Sequence, residues 1–403
     1  MAIPKAPLGQ EFGYDFQYAV FLKEPGRVTL FLDSYLYEPA FSPTVICGEV
    51  YLAASELCRI YAPYLEIKWQ GKTAAFTYRH PLEEEKAGEL KKDEICFIEN
   101  QLYVKAAGVV GRCLGKEVQE EDGFAILAVE GKKPVCEAFS SPFARRALEN
   151  RLHNKVYGEQ NFSVWMEEAE RIIPYRMYIP CSYRPGAPQK TIVCFHGGDA
   201  NADYVFQHTN NEICLYAEKY GYVILALCSY RKYTFFGASK VPTGGEKAEP
   251  NSVNPCGLTK EQMAHCNTAE ASVLFQIEDA KKRYTLDSDH LYAMGNSGGC
   301  LGIFQQIKIL PKGYFKRVVC SGGMPSIDFL DTELLKEKGT RILLLMATED
   351  IFDGQYTRQV GYPFLRERGV AVDFHPVGGG SHLLGWTRAL DVIFAYFEQD
   401  YSK

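Results

Sequence analysis

Ser297 stands in the run GNSGG, with Gly298 and Gly299 directly after it and Gly295 two residues before. Further along the chain ATEDIFDG supplies Asp350 and Asp353, and GGGSH supplies His382. A serine hydroxyl is a weak nucleophile until a histidine takes its proton, and the histidine needs a carboxylate to hold its tautomer and stabilise its cation. Serine, acid and histidine in this chain order are therefore candidates for acyl transfer. Asp350, in ATED, is preferred as the acid; Asp353 suits a helix cap. A fourth element, TIVCFHGGDANAD, ends an apolar run in a glycine turn able to aim backbone N–H groups at a developing oxyanion. The residues leave Gly198 and Asp199 both open as the donor there, and the second donor is the N–H of Gly298. His196 reads as a packing and hydrogen-bonding residue, and His375, inside an apolar run, as structural. This chemistry requires no metal and no organic cofactor.

Such side chains act only if something rigid positions them. From about residue 162 onward apolar runs alternate with longer helical patterns, which predicts a mostly parallel sheet covered on both faces. The strand candidates are TIVCF (191–195), YVILALC (222–228), HLYAM (290–294), KRVVC (316–320), RILLLM (341–346) and VAVDFHPV (370–377). NEICLYAEKYG, HCNTAEASVLFQIEDAKKRY and CLGIFQQIKIL read as helices, the first closed by Gly221 and the last by Pro311. LLGWTRALDVIFAYFEQDY reads as a terminal amphipathic helix. In an open parallel sheet ligands bind beyond the carboxyl ends of the strands. Ser297 follows HLYAM, Asp350 follows RILLLM and His382 follows VAVDFHPV, so all three fall there. Glycines around Ser297 suit a sharp strand-to-helix turn that lifts the hydroxyl out. The stretch from Ser229 to Leu258 is long and rich in turn residues, as lids and binding loops often are. Its Tyr230, Tyr233, Phe235 and Phe236, with Trp386, are candidates to line an acyl or aromatic pocket; packing the loop down is the competing role.

The first part of the chain has a different texture. Segments such as RVTLFLDSYLY and TAAFTYRH alternate with turns, and EVYLAASELCRIY is echoed by QLYVKAAGVVGRCLG at a constant offset: Tyr51 matches Tyr103, Leu52 matches Val104, Ala54 matches Ala106 and Leu57 matches Val109. Each copy reads as a strand running into a small-residue helix, and LEIKWQGKTAAFTY after the first as a hairpin. The expected organisation is an accessory α+β domain over 1–125, a linker over 126–160 and a catalytic domain over 161–403.

Composition narrows the partners. In 403 residues, 46% hydrophobic and 23% charged content is that of a globular protein. A formal net charge of −6, without a Lys/Arg-rich run, argues against nucleic acid. Thirteen cysteines are scattered singly, several, such as Cys194 and Cys320, within apolar runs. They read as reduced and structural, which points to a reducing cytoplasm or an anaerobic setting. The N-terminus has no apolar leader-like run and no stretch has membrane-spanning length; a chain trimmed of a signal peptide would read the same way.

Residues 160–403 resemble the α/β-hydrolase superfamily, and within it the bacterial esterases grouped with polyhydroxybutyrate-depolymerase-like and feruloyl-esterase-like proteins. HGGDANAD after a strand, DSDHLYAMGNSGG at the turn, ATED and GGGSH carry the resemblance. It implies a serine carboxylic ester hydrolase acting on a small or medium ester, aromatic or linked to carbohydrate. Prolyl-oligopeptidase-like peptidases share this turn and order, but the N-terminal part is too short for their propeller. An acyltransferase would share every motif, and an intact triad weighs against a non-catalytic binding protein. Residues 12–120 are similar to the duplicated N-terminal domain first described in copper amine oxidases, an accessory module. Such a module suits walling the pocket, pairing subunits into a homo-oligomer or holding a polymer, and the residues do not choose among these.

Overall fold

The structure, a computed structural model, describes residues 28–32, 35–81, 83–121, 124–129, 146–147, 150, 156–198, 200–229, 234–238, 258–350, 354–379, 382 and 386–401. The chain divides into two compact units, one within Glu11–Pro174 and one running from Tyr175 to Lys403.

The second unit is built on seven strands. These are β1 (Arg171–Ile179, in this unit from Tyr175 onward), β2 (Gln189–Phe195), β3 (Val223–Ala226), β4 (Leu286–Asn296), β5 (Arg317–Ser321), β6 (Arg341–Ala347) and β7 (Val372–Val377). Their order in the sheet is β1-β3-β2-β4-β5-β6-β7. β1 pairs antiparallel with β3, and every other pair is parallel. Central strands of such a sheet are covered on both faces, so they read as unbroken apolar runs rather than alternating ones. Leu291, Tyr292, Ala293 and Met294 in β4 are all buried, as are Leu343 to Met346 in β6.

The longer helices are α1 (Glu212–Tyr220), α2 (Lys260–Arg283), α3 (Gly298–Ile309) and α4 (Leu390–Glu398), with shorter helices and turns between. α1 stops at Gly221, which takes a left-handed φ of 70°. α2 starts at Thr259, whose hydroxyl accepts the N–H of Gln262 while the Gln262 side chain accepts the Thr259 N–H. Cys266, Ala269, Val273, Ile277 and Ala280 form its buried stripe. β2-α1-β3 moves one way along the sheet and β3-α2-β4 the other. Such crossovers are right-handed as a rule, which sets the two helices on opposite faces. α2 packs with α3 and α1 with α4, which gives a doubly wound α/β sheet.

The expected elements return with two corrections. β1 is absent from the sequence reading: its segment RIIPYRMYI holds Pro174 and is polar at its start, so it lacks the unbroken apolar run of its neighbours. The terminal helix begins only at Leu390, because residues 386–388 form a turn that buries Trp386. Cys194 and Cys320 lie buried in β2 and β5, and burial pushes the Cys194 thiol up. No helix among the described residues is long and apolar enough to cross a membrane.

In the first unit the internal echo has a structural form. The strand Glu49–Ala53 runs into the helix Ala54–Ile60, and Gln101–Lys105 runs into the helical turn Ala107–Cys113. The two strands pair antiparallel with Leu52 opposite Val104, the residues the offset equates, so the copies meet about a local two-fold. Each is the second strand of a hairpin, Thr44–Ile46 with Glu49–Ala53 and Ile95–Ile98 with Gln101–Lys105. Both hairpins turn on two left-handed residues, Cys47-Gly48 and Glu99-Asn100. Leu52, Leu57, Val104 and Val109 share one core.

Candidate active site

β4 ends in Gly295-Asn296 and α3 begins at Gly298, leaving Ser297 alone on the turn with φ 53° and ψ −119°. A non-glycine residue in that region is strained and persists only where its surroundings hold it. The Ser297 N–H donates to the Ser321 carbonyl at the end of β5 (2.9 Å), and the Ser297 carbonyl accepts the N–H of Cys300 (3.0 Å). The glycines answer to close approach: a Cβ on Gly299 would collide with the Phe195 carbonyl, and one on Gly295 would lie 2.9 Å from the Gly299 backbone. Being at the start of α3, the Gly298 N–H has no partner within the helix, and Ser297 stands at the positive end of the helix dipole.

His382, after β7, and Asp350, after β6, meet at Nδ1 and Oδ2 at 2.9 Å. The Asp350 side chain is fully buried and that of His382 is partly exposed. A carboxylate only accepts, so Nδ1 carries the proton of this contact. The two loops are knitted together behind this pair. The Thr348 N–H donates to the Val377 carbonyl (2.9 Å), and the Thr348 hydroxyl accepts the N–H of Gly379 (3.0 Å). Gly322 and Gly323, after β5, lie between His382 and Ser297: a Cβ on Gly322 would be 2.9 Å from the His382 carbonyl, and one on Gly323 would be 2.8 Å from that of Ser297. The structure thus brings Ser297, Asp350 and His382 to one place at the carboxyl ends of β4, β6 and β7. Among the described residues no hydrogen bond joins Ser297 Oγ to the imidazole; such contacts commonly close only with substrate bound. Asp353 lies outside the described residues.

The glycine turn after β2 flanks Ser297 from the other side, where a Cβ on Gly197 would be 3.5 Å from the Ser297 Cβ. His196 is buried; its Nδ1 donates to the Gly197 carbonyl (2.7 Å) and its Nε2 accepts the N–H of Ser229 (3.0 Å). Both nitrogens are committed, so His196 is no base. Because the peptide is planar and trans, fixing the Gly197 carbonyl towards His196 turns the Gly198 N–H the opposite way. Asp199 lies outside the described residues. Burial lowers the His196 pKa from 6.5 to about 4. Between those values the unfolded chain binds a proton that the folded one does not, so stability is full above pH 6.5 and falls as pH drops towards 4. The loss amounts to about 3 kcal/mol. Denaturation midpoints from pH 7 to 4.5 should show it, and His196→Asn, which cannot titrate, should flatten the profile; equal slopes in both proteins would refute the assignment.

The aromatics divide. Phe235 and Phe236 both have positive φ, 44° and 55°. The Phe235 ring packs against Gly298, where a Cβ would strike it. Phe236 is instead buried, its ring 4.8 Å from that of Phe195 and 4.9 Å from that of His196. Trp386, also expected to line a pocket, is buried with its ring 5.6 Å from that of Tyr204. Both rings are large enough to draw their loops onto the core. Tyr230 and Tyr233 lie outside the described residues. One pair escaped the sequence reading: the Asn296 side chain, beside Ser297, accepts the Tyr204 hydroxyl at 2.8 Å. Asn296 stands in GNSGG, but nothing local announces a partner 92 residues away.

The strand order, the strained serine at the β4–α3 turn and the Asp350–His382 pair after β6 and β7 make a doubly wound α/β sheet with a candidate site at its strand ends. No protein-family model and no curated protein matches the chain. Among solved structures it is similar to a fluorophosphonate-binding serine hydrolase of Staphylococcus aureus, at 13% identity over 60% of this chain and 98% of that one, with a TM-score of 0.43. It is also similar to a poly(3-hydroxybutyrate) depolymerase of Bordetella parapertussis, at 17% identity over 61% and 91% of the two chains, with a TM-score of 0.41. A ferulic acid esterase matches at 12% identity over 60% and 99%, with a TM-score of 0.43.

Proposed function

We propose that this chain is a serine carboxylic ester hydrolase working through an acyl-enzyme. The observation that carries the reading is the His382–Asp350 contact, made on a buried carboxylate and set across Gly322-Gly323 from the strained Ser297. Ser297 Oγ attacks the ester carbonyl carbon while its proton passes to His382 Nε2. Asp350 holds Nδ1–H and stabilises the imidazolium. The oxyanion is met by the N–H of Gly298 and by one from the turn at Gly198 and Asp199. Collapse expels the alcohol with the proton from His382. Water then attacks the acyl-serine by the same route and releases the acid.

Phe235 stands beside the Gly298 donor and so forms a wall for small or medium acyl groups, aliphatic or aromatic; the alcohol side suits a carbohydrate-linked ester. Hydrolysis of p-nitrophenyl esters from acetate to octanoate, with methyl ferulate and an aminoacyl-prolyl anilide alongside, tests the reaction class. Ester turnover is expected; turnover of the anilide alone would contradict it and indicate a peptidase. Phe235→Ala should raise kcat/KM for octanoate relative to acetate by roughly 10-fold, the worth of a few apolar contacts in a pocket. An unchanged acyl profile would remove Phe235 from the pocket.

A further inference from the structure

Asn296 is fully buried, immediately precedes the nucleophile and has its side-chain atoms bound on both ends. Its Oδ1 accepts the Tyr204 hydroxyl at 2.8 Å. Its Nδ2 donates to the Ser321 carbonyl at 3.1 Å and approaches the His382 carbonyl at 3.4 Å. Each partner belongs to a different part of the site. Tyr204 opens the helical turn Tyr204–His208 that follows the glycine turn of the oxyanion side. Ser321 ends β5, and its carbonyl also receives the Ser297 N–H at 2.9 Å. His382 is the base.

Three separate loops therefore converge on one amide. A backbone amide or a hydroxyl would reach one of these loops; only a carboxamide offers an acceptor and two donors on a stem short enough to fit beside the elbow. Gly322 keeps the space open, since a Cβ there would lie 3.3 Å from Asn296 Nδ2 and 2.9 Å from the His382 carbonyl. Trp386 closes the far side by packing on Tyr204.

We infer that Asn296, held by Tyr204, is a positioning residue that sets the base and the oxyanion turn in register with Ser297. This rests on the serine-hydrolase reading. Displacing a reacting group by about 1 Å lowers turnover by roughly 100-fold. Asn296→Ala should therefore lower kcat about 10- to 100-fold with KM little changed. Tyr204→Phe removes only the hydroxyl that holds Oδ1, keeps the packing on Trp386, and should lower kcat by a smaller factor. Because both changes disable one unit, the double variant should be no slower than Asn296→Ala alone.

The experiment measures kcat and KM on p-nitrophenyl acetate, the rate of Ser297 labelling by a fluorophosphonate, and Tm, for wild type, Asn296→Ala, Tyr204→Phe and the double variant. A merely structural asparagine would lower Tm while leaving kcat and the labelling rate intact, and that result would overturn the inference, as would factors that multiply in the double variant. If Asn296→Ala fails to fold, Tyr204→Phe decides: a fall in kcat and labelling at unchanged KM supports the inference, and wild-type values overturn it. Absence of both labelling and turnover in wild type would overturn the hydrolase reading, and the inference with it; wild-type labelling with undiminished labelling in the variants would overturn the inference alone.

Discussion

Ser297→Ala is expected to abolish ester turnover, with kcat falling roughly 10⁴- to 10⁶-fold while the protein stays folded. The size of the effect follows from the role proposed for Ser297, which is to supply the atom that becomes bonded to the acyl group. The neighbouring Cys300 thiol, one turn along α3, is buried and bound to the Gly295 and Ser321 carbonyls and is not placed to replace it. What survives is the catalysis that the oxyanion donors and substrate binding give to direct attack by water. Stability should hold or rise, because alanine removes only the hydroxyl, and the bond from residue 297 N–H to Ser321 O is a backbone one. Turnover of p-nitrophenyl acetate and thermal unfolding on the same samples check both halves. A variant retaining a tenth of the wild-type rate would show that another group attacks.

The second large effect belongs to the acid. Asp350→Asn should lower kcat by about 10⁴-fold, because an amide can donate to Nδ1 and so favours the tautomer with the proton on Nε2, which cannot act as base. The carboxylate is fully buried beside the ring, so no water restores the lost acceptor. Asp353→Asn should leave kcat close to wild type. Steady-state kinetics on both variants decide the matter; equal losses, or a loss at 353 alone, would move the acid to Asp353.

Much of this site was legible in the sequence because its chemistry is tied to strand ends. An apolar run followed at once by glycines has to be a strand meeting a tight turn, and HLYAM-GNSGG is that arrangement. RILLLM-ATED and VAVDFHPV-GGGSH placed Asp350 and His382 by the same logic, and the sheet puts all three ends on one side. The N-terminal echo was legible as well, since Tyr51 and Tyr103 with their small-residue successors recur at a constant offset. Other features were not. β1 carries a proline and polar residues at its start, so local pattern gave no reason to set it against β3. For Phe236 and Trp386 the sequence left lining a pocket and packing the loop down both open; their apolar area is satisfied by Phe195 and Tyr204, contacts made across the fold. The same holds for Asn296: its neighbours in sequence say strand end, and only the tertiary structure shows Tyr204, Ser321 and His382 around it.

The central claim is that Ser297 forms a covalent bond to the reacting centre. Incubating the protein with a fluorophosphonate and locating the adduct by peptide mass spectrometry tests it directly, since attack on phosphorus expels fluoride and leaves the phosphonyl group on the attacking atom. One adduct is expected, on Ser297, formed far more slowly in His382→Ala. No adduct, or an adduct on another residue formed at the same rate in Ser297→Ala, would contradict it.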